Sequence, residues 1–416
     1  MNILICGANG FVGRALCTRL EREGHRVLRG VRHAAANEIR IDYASDLRAE
    51  QWSARLRGVD AVINAVGILT ERGSQTFDAI HRDAPIALFE ACRLLDIRRV
   101  VQISALGSED GDTAYFRSKR EADAFLMTLP IGFDVVRPAL VYGASGTSAR
   151  LFRTLASLPV HILPGDGHQV FRPVHIDDLT EVVARLLRKP SGDRRCIDVV
   201  GATQIDYRNM LATYRAAMKL PPAMSIKTPT ALIRAAAAIG TCLPGSMLTR
   251  DTWTMLNRGN TASDVAVASL LERPPLGIGQ FIGADAAVWR HEALASWRPA
   301  LFRGALSIVW IWTALVSALI YPKAVSLALL DHVHLHGLLA IVVLYLASAL
   351  DLGMGIATLV WPSRRLWVVQ ALIVTSYTII VAATLPAALL DPFGPILKNL
   401  PIIALLISLH SEELQS

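Results

Sequence analysis

The last 118 residues constrain this chain most. Positions 299–416 hold five Lys/Arg and five Asp/Glu, spread around four apolar stretches at 304–322, 337–361, 366–390 and 393–409. About 20 helical residues cross a hydrocarbon layer about 30 Å thick, and the first three stretches suffice. The fourth is shorter and contains Lys398, whose ammonium must reach water from one end. Three such stretches in series are hard to bury in a water-soluble core. The tail therefore reads as an all-α transmembrane domain of four helices.

The 298 residues in front of it carry the remaining charges and the entire +7 excess. They read as a soluble, mildly basic domain, suited to lie beside anionic lipid. With 52% apolar residues a disordered chain is excluded. No block of Lys/Arg interleaved with aromatics suggests nucleic acid as a partner. Five cysteines without a CxxC pair read as reduced thiols. The apolar run at 3–6 has no basic residue before it and ends in glycines, so it reads as a strand and not a leader. Arg298, Arg303, Arg364 and Arg365 flank one side of the apolar stretches. Lys323 and Lys398 stand on the other with Asp331 and Asp391. Four against two places the soluble domain in the cytoplasm, on a bacterial-type inner membrane.

Within positions 1–140, short β-rich runs alternate with helical patterns. Strands are expected at 2–6, 26–31, 38–42, 60–67, 99–104 and 133–137, with helices at 84–95 and 115–129. That alternation predicts an α/β fold of Rossmann type, a doubly wound parallel sheet. Positions 141–298 are irregular, with two expected helices (178–188 and 207–218) and a strand at 196–200, and are assigned to the substrate side.

Gly7, Gly10 and Gly13 lie between the first strand and the first helix. Such glycines let the backbone turn tightly and meet a pyrophosphate, whose charge faces free N–H groups at the helix start. Asn9, Phe11 and Val12 complete that loop. An NAD site expects an acid about twenty residues after the first glycine. Positions 26–33 hold none, but they hold Arg26, Arg29 and Arg32. A guanidinium pairs with a 2′-phosphate in two parallel bonds, so NADP is expected and NAD is the alternative. Arg32 is the first choice of clamp and Arg29 the second. Asp42 is placed to meet adenine, while Asn64, Ala65 and Gly67 pass beneath the cofactor.

Tyr115 and Lys119 are four apart on a predicted helix and share a face. An ammonium near a phenol favours the phenolate and brings its pKa toward a useful range. Ser104, ending the preceding strand, is placed to bond the same substrate oxygen.

These residues, with Ile103-Ser104-Ala105-Leu106-Gly107, Tyr115-x-Arg117-Ser118-Lys119, Arg137-Pro138, Val141-Tyr142-Gly143 and Pro173-Val174-His175-Ile176-Asp177-Asp178, reach a family. Positions 1–290 resemble the short-chain dehydrogenase/reductase superfamily. The likeness is to its atypical branch, which holds the NADPH-binding accessory subunit of respiratory complex I. The resemblance implies Tyr115 as general acid/base, Lys119 on the nicotinamide ribose, Ser104 as substrate orienter and Pro138 at the cofactor. Tyr115 follows Ser104 by only eleven positions, closer than in sugar-nucleotide epimerases, which counts against a nucleotide sugar. The branch also includes members that keep the cofactor without turnover.

The tail is similar to the DoxX-like four-helix membrane family through Ala349-Leu350-Asp351-Leu352-Gly353 and Asp391-Pro392-Phe393-Gly394-Pro395. Asp351 lies well inside the second span, where a carboxylate is expected to face the bundle interior, be protonated or find a partner, with Lys398 proposed. It is a candidate for function within the membrane, with a structural polar residue as the alternative. Asp331, His332, His334 and His336 superficially resemble metal ligands, but a wet interfacial loop explains them as well, and no metal is assigned. The resulting expectation is a membrane-anchored NADP-dependent oxidoreductase acting on a hydrophobic carbonyl or quinone-like molecule. A non-catalytic NAD(P)H-binding module is the alternative, and a nucleotide-sugar epimerase stands third. No protein partner is legible.

Overall fold

The computed structural model describes residues 1–190, 193–243, 246–386 and 397–412. The chain divides into two units, Met1–Ala293 and Leu294–Ser416.

The first unit opens with β1 (Asn2–Cys6), α1 (Phe11–Arg22), β2 (Arg26–Val31), β3 (Glu38–Arg40) and β4 (Ala61–Asn64). A π-helical turn at Asp78–Asp83 leads into α2 (Ala84–Leu94), then β5 (Arg99–Ile103), α3 (Ala114–Thr128) and β6 (Gly132–Pro138). The chain then leaves the sheet through β7 (Val141–Tyr142), α4 (Thr147–Ser157), β8 (Val160–Pro164), β9 (Val170–Phe171), β10 (Val174–His175) and α5 (Ile176–Leu187). It returns as β11 (Arg194–Val199).

These strands make a seven-stranded sheet in the order β11-β6-β5-β4-β1-β2-β3, with each pair parallel. Parallel strands are covered on both faces, so their sequences are apolar without alternation. Ile3, Ile5, Ile63 and Val101 face a layer holding Leu16 and Leu20 of α1 with Leu179, Val183 and Leu186 of α5. Leu4, Val62 and Val100 face Leu88 and Phe89 of α2 with Ala122 and Leu126 of α3. The chain builds outward through β2 and β3, then crosses to β4 on the other side of β1. Beyond the carboxyl ends of β1 and β4 lies the crevice where open α/β sheets receive ligands.

After β11 come β12 (Ile205–Asp206), α6 (Tyr207–Ala217), β13 (Met224–Thr228), α7 (Thr230–Thr241), α8 (Arg250–Arg258), α9 (Val265–Leu271) and α10 (Ala286–Ala295). The region past 141 is richer in helix than its sequence predicts, because α4, α7, α8, α9 and α10 are also helical. Each is short, and Gly146, Pro229 and Gly259 cap three of them, so their boundaries read as loop.

The second unit contains α11 (Arg298–Leu315), continued by a π-helical turn at Val316–Ile320, then α12 (Lys323–Asp331), α13 (Gly337–Val360), α14 (Arg364–Thr384) and α15 (Asn399–Glu412). Among the described residues, three helices are long and apolar enough to cross a membrane: the run Ala286–Ile320, α13 and α14. The expected fourth stretch falls partly outside the described residues, and α15 is among the shorter apolar helices. The Asp391–Pro395 motif also lies outside them.

This unit is built inside out. Ile308, Leu319 and Leu338 are exposed, whereas Ser307, Ser348, Asp351, Thr358 and Gln370 are buried. Gly355 makes the close approach possible: a Cβ there would stand 2.6 Å from Ile311 Cγ1 of α11. Ser307 Oγ donates to the Gly355 carbonyl at 2.8 Å. Trp310 Nε1 donates to Gln370 Oε1 (3.1 Å), whose amide donates to Thr358 Oγ1 (2.8 Å). Small residues and interhelical hydrogen bonds hold helices together where lipid removes the hydrophobic drive.

Candidate functional site

The turn after β1 is compressed to its limit. Gly7 has φ +81°, a left-handed conformation that favours glycine. A Cβ at Gly13 would fall 2.1 Å from the Gly7 carbonyl oxygen, and no side chain fits there. The Gly7 and Ala8 N–H groups donate to the Gly30 carbonyl at 3.0 and 3.1 Å, and Gly10 N–H donates to Gly7 O at 2.8 Å. Asn9 and Gly10 are exposed, and Phe11 and Val12 partly so. No side chain caps α1 and no acid lies in its first turn. Its opening N–H groups are therefore available to an anion. The Phe11 ring runs under Gly143 and Gly146, where a Cβ would meet it at 2.7 and 3.1 Å. Ala65 is anchored to the turn by its N–H on Cys6 O at 3.0 Å.

At the ends of β2 and β3 a groove of about 770 Å³ is lined by Arg32, His33, Arg40, Asp42, Ser74 and Gln75 among others. Arg32 and Asp42 both line it. Arg29 does not. Its guanidinium is held by Glu21 of α1 at 2.8 and 3.1 Å, because alternation along β2 turns it toward that helix. Arg40 was missed by sequence reasoning. The β2–β3 register, which pairs Val31 with Arg40, brings it beside Arg32.

Asn64 also differs from expectation. Fully buried, it accepts from Tyr43 Oη at 2.8 Å and from Val66 N–H at 3.2 Å, and donates to Gln102 Oε1 at 2.8 Å. Its side chain braces the end of β4 and is spent within the protein. Pro138 ends β6, and its carbonyl accepts from Leu106 N–H at 3.0 Å.

Thr113 caps α3 by accepting from Phe116 N–H at 3.3 Å. The helix then carries Tyr115, Lys119 and Asp123 four apart on one face. Lys119 is buried, and its ammonium donates to the Ile103 carbonyl at 3.1 Å. Burial lowers its pKa to about 8, with Asp123 opposing. Gly67 lies over it: a Cβ there would be 3.6 Å from Nζ and 3.7 Å from His81 Nε2.

Tyr115 is partly exposed and sits edge-on to His81 (5.1 Å between centroids) and Phe77 (5.8 Å). The expected lowering of its phenol does not occur. Burial raises it to about 12, with Asp123 adding to the rise, because the Lys119 ammonium is turned to Ile103.

Ser104 is likewise committed elsewhere. Its hydroxyl donates to Asp123 Oδ2 and stands 3.3 Å from Ser108 Oγ. Burial pushes the Asp123 carboxyl above the usual range, opposed by Ser104 and Lys119.

His81 is another residue that sequence reasoning missed. Its Nε2 accepts from Ile68 N–H at 3.0 Å, which leaves the proton on Nδ1, 3.3 Å from Ser118 Oγ. Burial and then the Lys119 charge hold it well below its ordinary pKa, so the ring is neutral. Only its position on a π-helical turn brings it under Tyr115, and no motif announces that. Asp123 was missed too, although its spacing of four from Lys119 puts it on the same face.

In the second unit Asp351 is buried as expected, and among the described residues its Oδ1 has no hydrogen-bond partner. Lys398 is exposed and forms no ion pair with it among the described residues. A side chain that seeks water at a span's end does not reach a carboxylate inside the bundle. His336 Nδ1 lies 2.9 Å from Asp331 Oδ1, and His332 Nδ1 2.8 Å from the Ala328 carbonyl.

Sheet order and glycine turn together define a Rossmann-type unit, joined to a helical unit with apolar candidate spans. Residues 3–200 match the NAD dependent epimerase/dehydratase family, and residues 307–407 match the DoxX-like family. Among curated proteins the chain is similar to a ceramide reductase of Caulobacter vibrioides. Identity is 26% over 195 residues, 45% of this chain and 61% of that protein. The chain therefore spans less than two thirds of that relative. An epimerase family protein of Mycobacterium tuberculosis is 25% identical over 56% of this chain and 84% of its own length. Among solved structures, UDP-glucuronic acid 4-epimerase from Bacillus cereus, in complex with UDP-glucuronic acid and NAD, has a TM-score of 0.53 at 18% identity. That match covers 70% of this chain and 99% of the epimerase. At that identity the likeness speaks to fold alone.

Proposed function

We propose that this chain is a membrane-anchored oxidoreductase that uses NADP and acts on a hydrophobic carbonyl or quinone-like substrate. The observation that carries the cofactor is the groove shared by Arg32 and Arg40, at the strand ends where an NAD site keeps an acid. The apolar second unit and the relative named a ceramide reductase support a substrate drawn from lipid.

The residues fit a dinucleotide. The Gly7–Gly13 turn admits a pyrophosphate, since nothing larger than hydrogen fits at Gly13, and Arg32 with Arg40 meets a 2′-phosphate by paired charge-assisted bonds. When bound, the nicotinamide supplies or accepts a hydride. Tyr115, its phenol raised to about 12, keeps its proton at neutral pH and serves as the acid toward a carbonyl oxygen. Ser104 donates its hydroxyl hydrogen bond to Asp123, so Tyr115 is the remaining donor of the pair. Lys119 spends one N–H on Ile103 and has others for the ribose hydroxyls. Neutral His81 and Phe77 wall the phenol without adding charge.

The test follows NADPH absorbance after the detergent-purified chain is mixed with lipophilic quinones and long-chain aldehydes. Oxidation is expected, slowed about 10²–10⁴-fold in Tyr115→Phe. NADPH that stays reduced with every acceptor sinks the enzyme reading. Removing Arg32 and Arg40 together (both→Ala) is expected to weaken NADPH at least about tenfold more than NADH. Equal losses return the choice to NAD.

Two other readings have observations behind them. The family match over residues 3–200 favours a nucleotide-sugar epimerase, which predicts NAD retention and turnover of a UDP-sugar. The engaged Ser104 and Lys119 favour a non-catalytic NAD(P)H-binding module, as does the motif likeness to the branch of the complex I accessory subunit. That module binds cofactor and oxidises none.

A further inference from the structure

We propose that β13 and α7, on the first unit, form a docking surface for anionic lipid. Positions 207–250 contain six Lys/Arg and no Asp or Glu, with Asp206 and Asp251 standing just outside. Four of the six, Lys219, Lys227, Arg234 and Arg250, are exposed.

Between these cations the chain shows its apolar side chains to solvent. Met224, Ile226, Leu232, Ile239 and Leu243 are each more than half exposed, as is Ile162 of β8, which the strand register sets opposite Ile226. The arrangement is built. Within α7 only Ala237 and Gly240 are buried, and a Cβ at Gly240 would stand 2.0 Å from the Leu248 carbonyl. The helix therefore rests on its small side. Leu232 and Ile239, seven apart, share the opposite side.

An apolar cluster of this kind marks an interaction surface. Its occupant is read from charge. α7 itself holds one cation, Arg234, and Lys219, Lys227 and Arg250 flank it in the chain. An apolar helix set among cations without acids has the composition of an interfacial element, where the side chains enter the headgroup boundary and the cations meet anionic lipid. Covalent attachment to the spans raises the effective concentration of bilayer, so weak insertion is enough. The proposal rests on the membrane-anchored part of the reading above and deepens it, because a docked surface keeps this unit at the phase that dissolves an apolar substrate.

Cys242 provides the probe. It is exposed at the end of α7, and Cys6, Cys17 and Cys92 are buried. The full-length chain carrying Cys196→Ser is labelled at Cys242 with a polarity-sensitive dye. It is then reconstituted into phosphatidylglycerol/phosphatidylethanolamine vesicles that contain lipid with a shallow nitroxide. The expected result is blue-shifted emission quenched by the nitroxide, with quenching severalfold weaker in pure phosphatidylcholine and in Lys227→Glu/Arg234→Glu. Leu232→Gln/Ile239→Gln, at exposed positions, is expected to lose it as well. The same dye on Cys196, in a Cys242→Ser chain, is expected to report water.

Emission typical of water at Cys242 overturns the proposal. So does a shielded dye that the nitroxide fails to quench, since protein then covers the face, whether the chain's own helices or a second copy. Alkaline extraction of the same vesicles reads the anchor, and NADPH titration reads the cofactor site. Failure of docking is thereby separated from failure of the functional reading.

Discussion

The two units place their carbon and their polar atoms in opposite ways. In the first, Ile, Leu and Val fill both faces of the sheet, and Asn64, Gln102 and Ser104 are buried at the carboxyl ends of β4 and β5 beside the crevice. In the second, leucines and isoleucines face outward, while Trp310, Gln370 and Thr358 bond one another inside. Water drives the first by excluding apolar surface. Lipid offers no such gain, so the second relies on close contact and hydrogen bonds. One chain thus obeys two solvents, and the same kind of substitution has opposite meaning on either side of Leu294.

The largest expected effect tests the first unit at its tightest point. Gly13→Val drives a side chain into the Gly7 carbonyl, a backbone atom that cannot turn aside. A destabilisation of about 3 kcal/mol or more is expected, with loss of dinucleotide binding in a calorimetric titration. Unchanged binding breaks the account of the turn.

A second test uses the buried cation. Lys119 titrates near 8 when folded against an unfolded value of 10.5. Below 8 both states are protonated and the burial penalty is fully present. Between 8 and 10.5 the unfolded chain holds more protons, so stability rises with pH through that window. Lys119→Met is expected to stabilise the first unit at pH 7 by on the order of 3 kcal/mol and to flatten that rise. Urea midpoints at pH 7, 8.5 and 10 decide it, and a parent midpoint that falls over this range refutes the assignment.

The smallest effect belongs to the membrane unit. Gln370→Leu adds apolar surface yet strands Trp310 Nε1 and removes the bond that Thr358 Oγ1 accepts, while the Thr358 hydroxyl keeps its own bond to the Met354 carbonyl. A loss of about 1 kcal/mol is expected in detergent unfolding, whereas stranding a donor in a water-solvated core costs about 1–3 kcal/mol. A gain in stability removes the contrast between the units.

Much of this was legible in advance because it is local. A strand, three glycines and a helix define the turn within thirteen residues, and the tail declares its solvent by composition. What escaped lies in pairings between distant positions. Ser104 meets Asp123, Asn64 meets Tyr43 and Gln102, and His81 meets Ser118. Those contacts exist only after the sheet order is set. Arg40 escaped for the same reason, since only its register against β2 brings it to Arg32. The Tyr115 phenol was misjudged because spacing puts Lys119 on the same face without saying which atom its ammonium chooses.

The glycine turn has one more consequence. Its shape is enforced by contacts among its own backbone atoms, Gly13 against Gly7 and Gly7 against Gly30. The cradle is thus preformed. An incoming anion need not order it and surrenders little conformational freedom there, so affinity at this spot is decided by how well the guest matches a rigid mould.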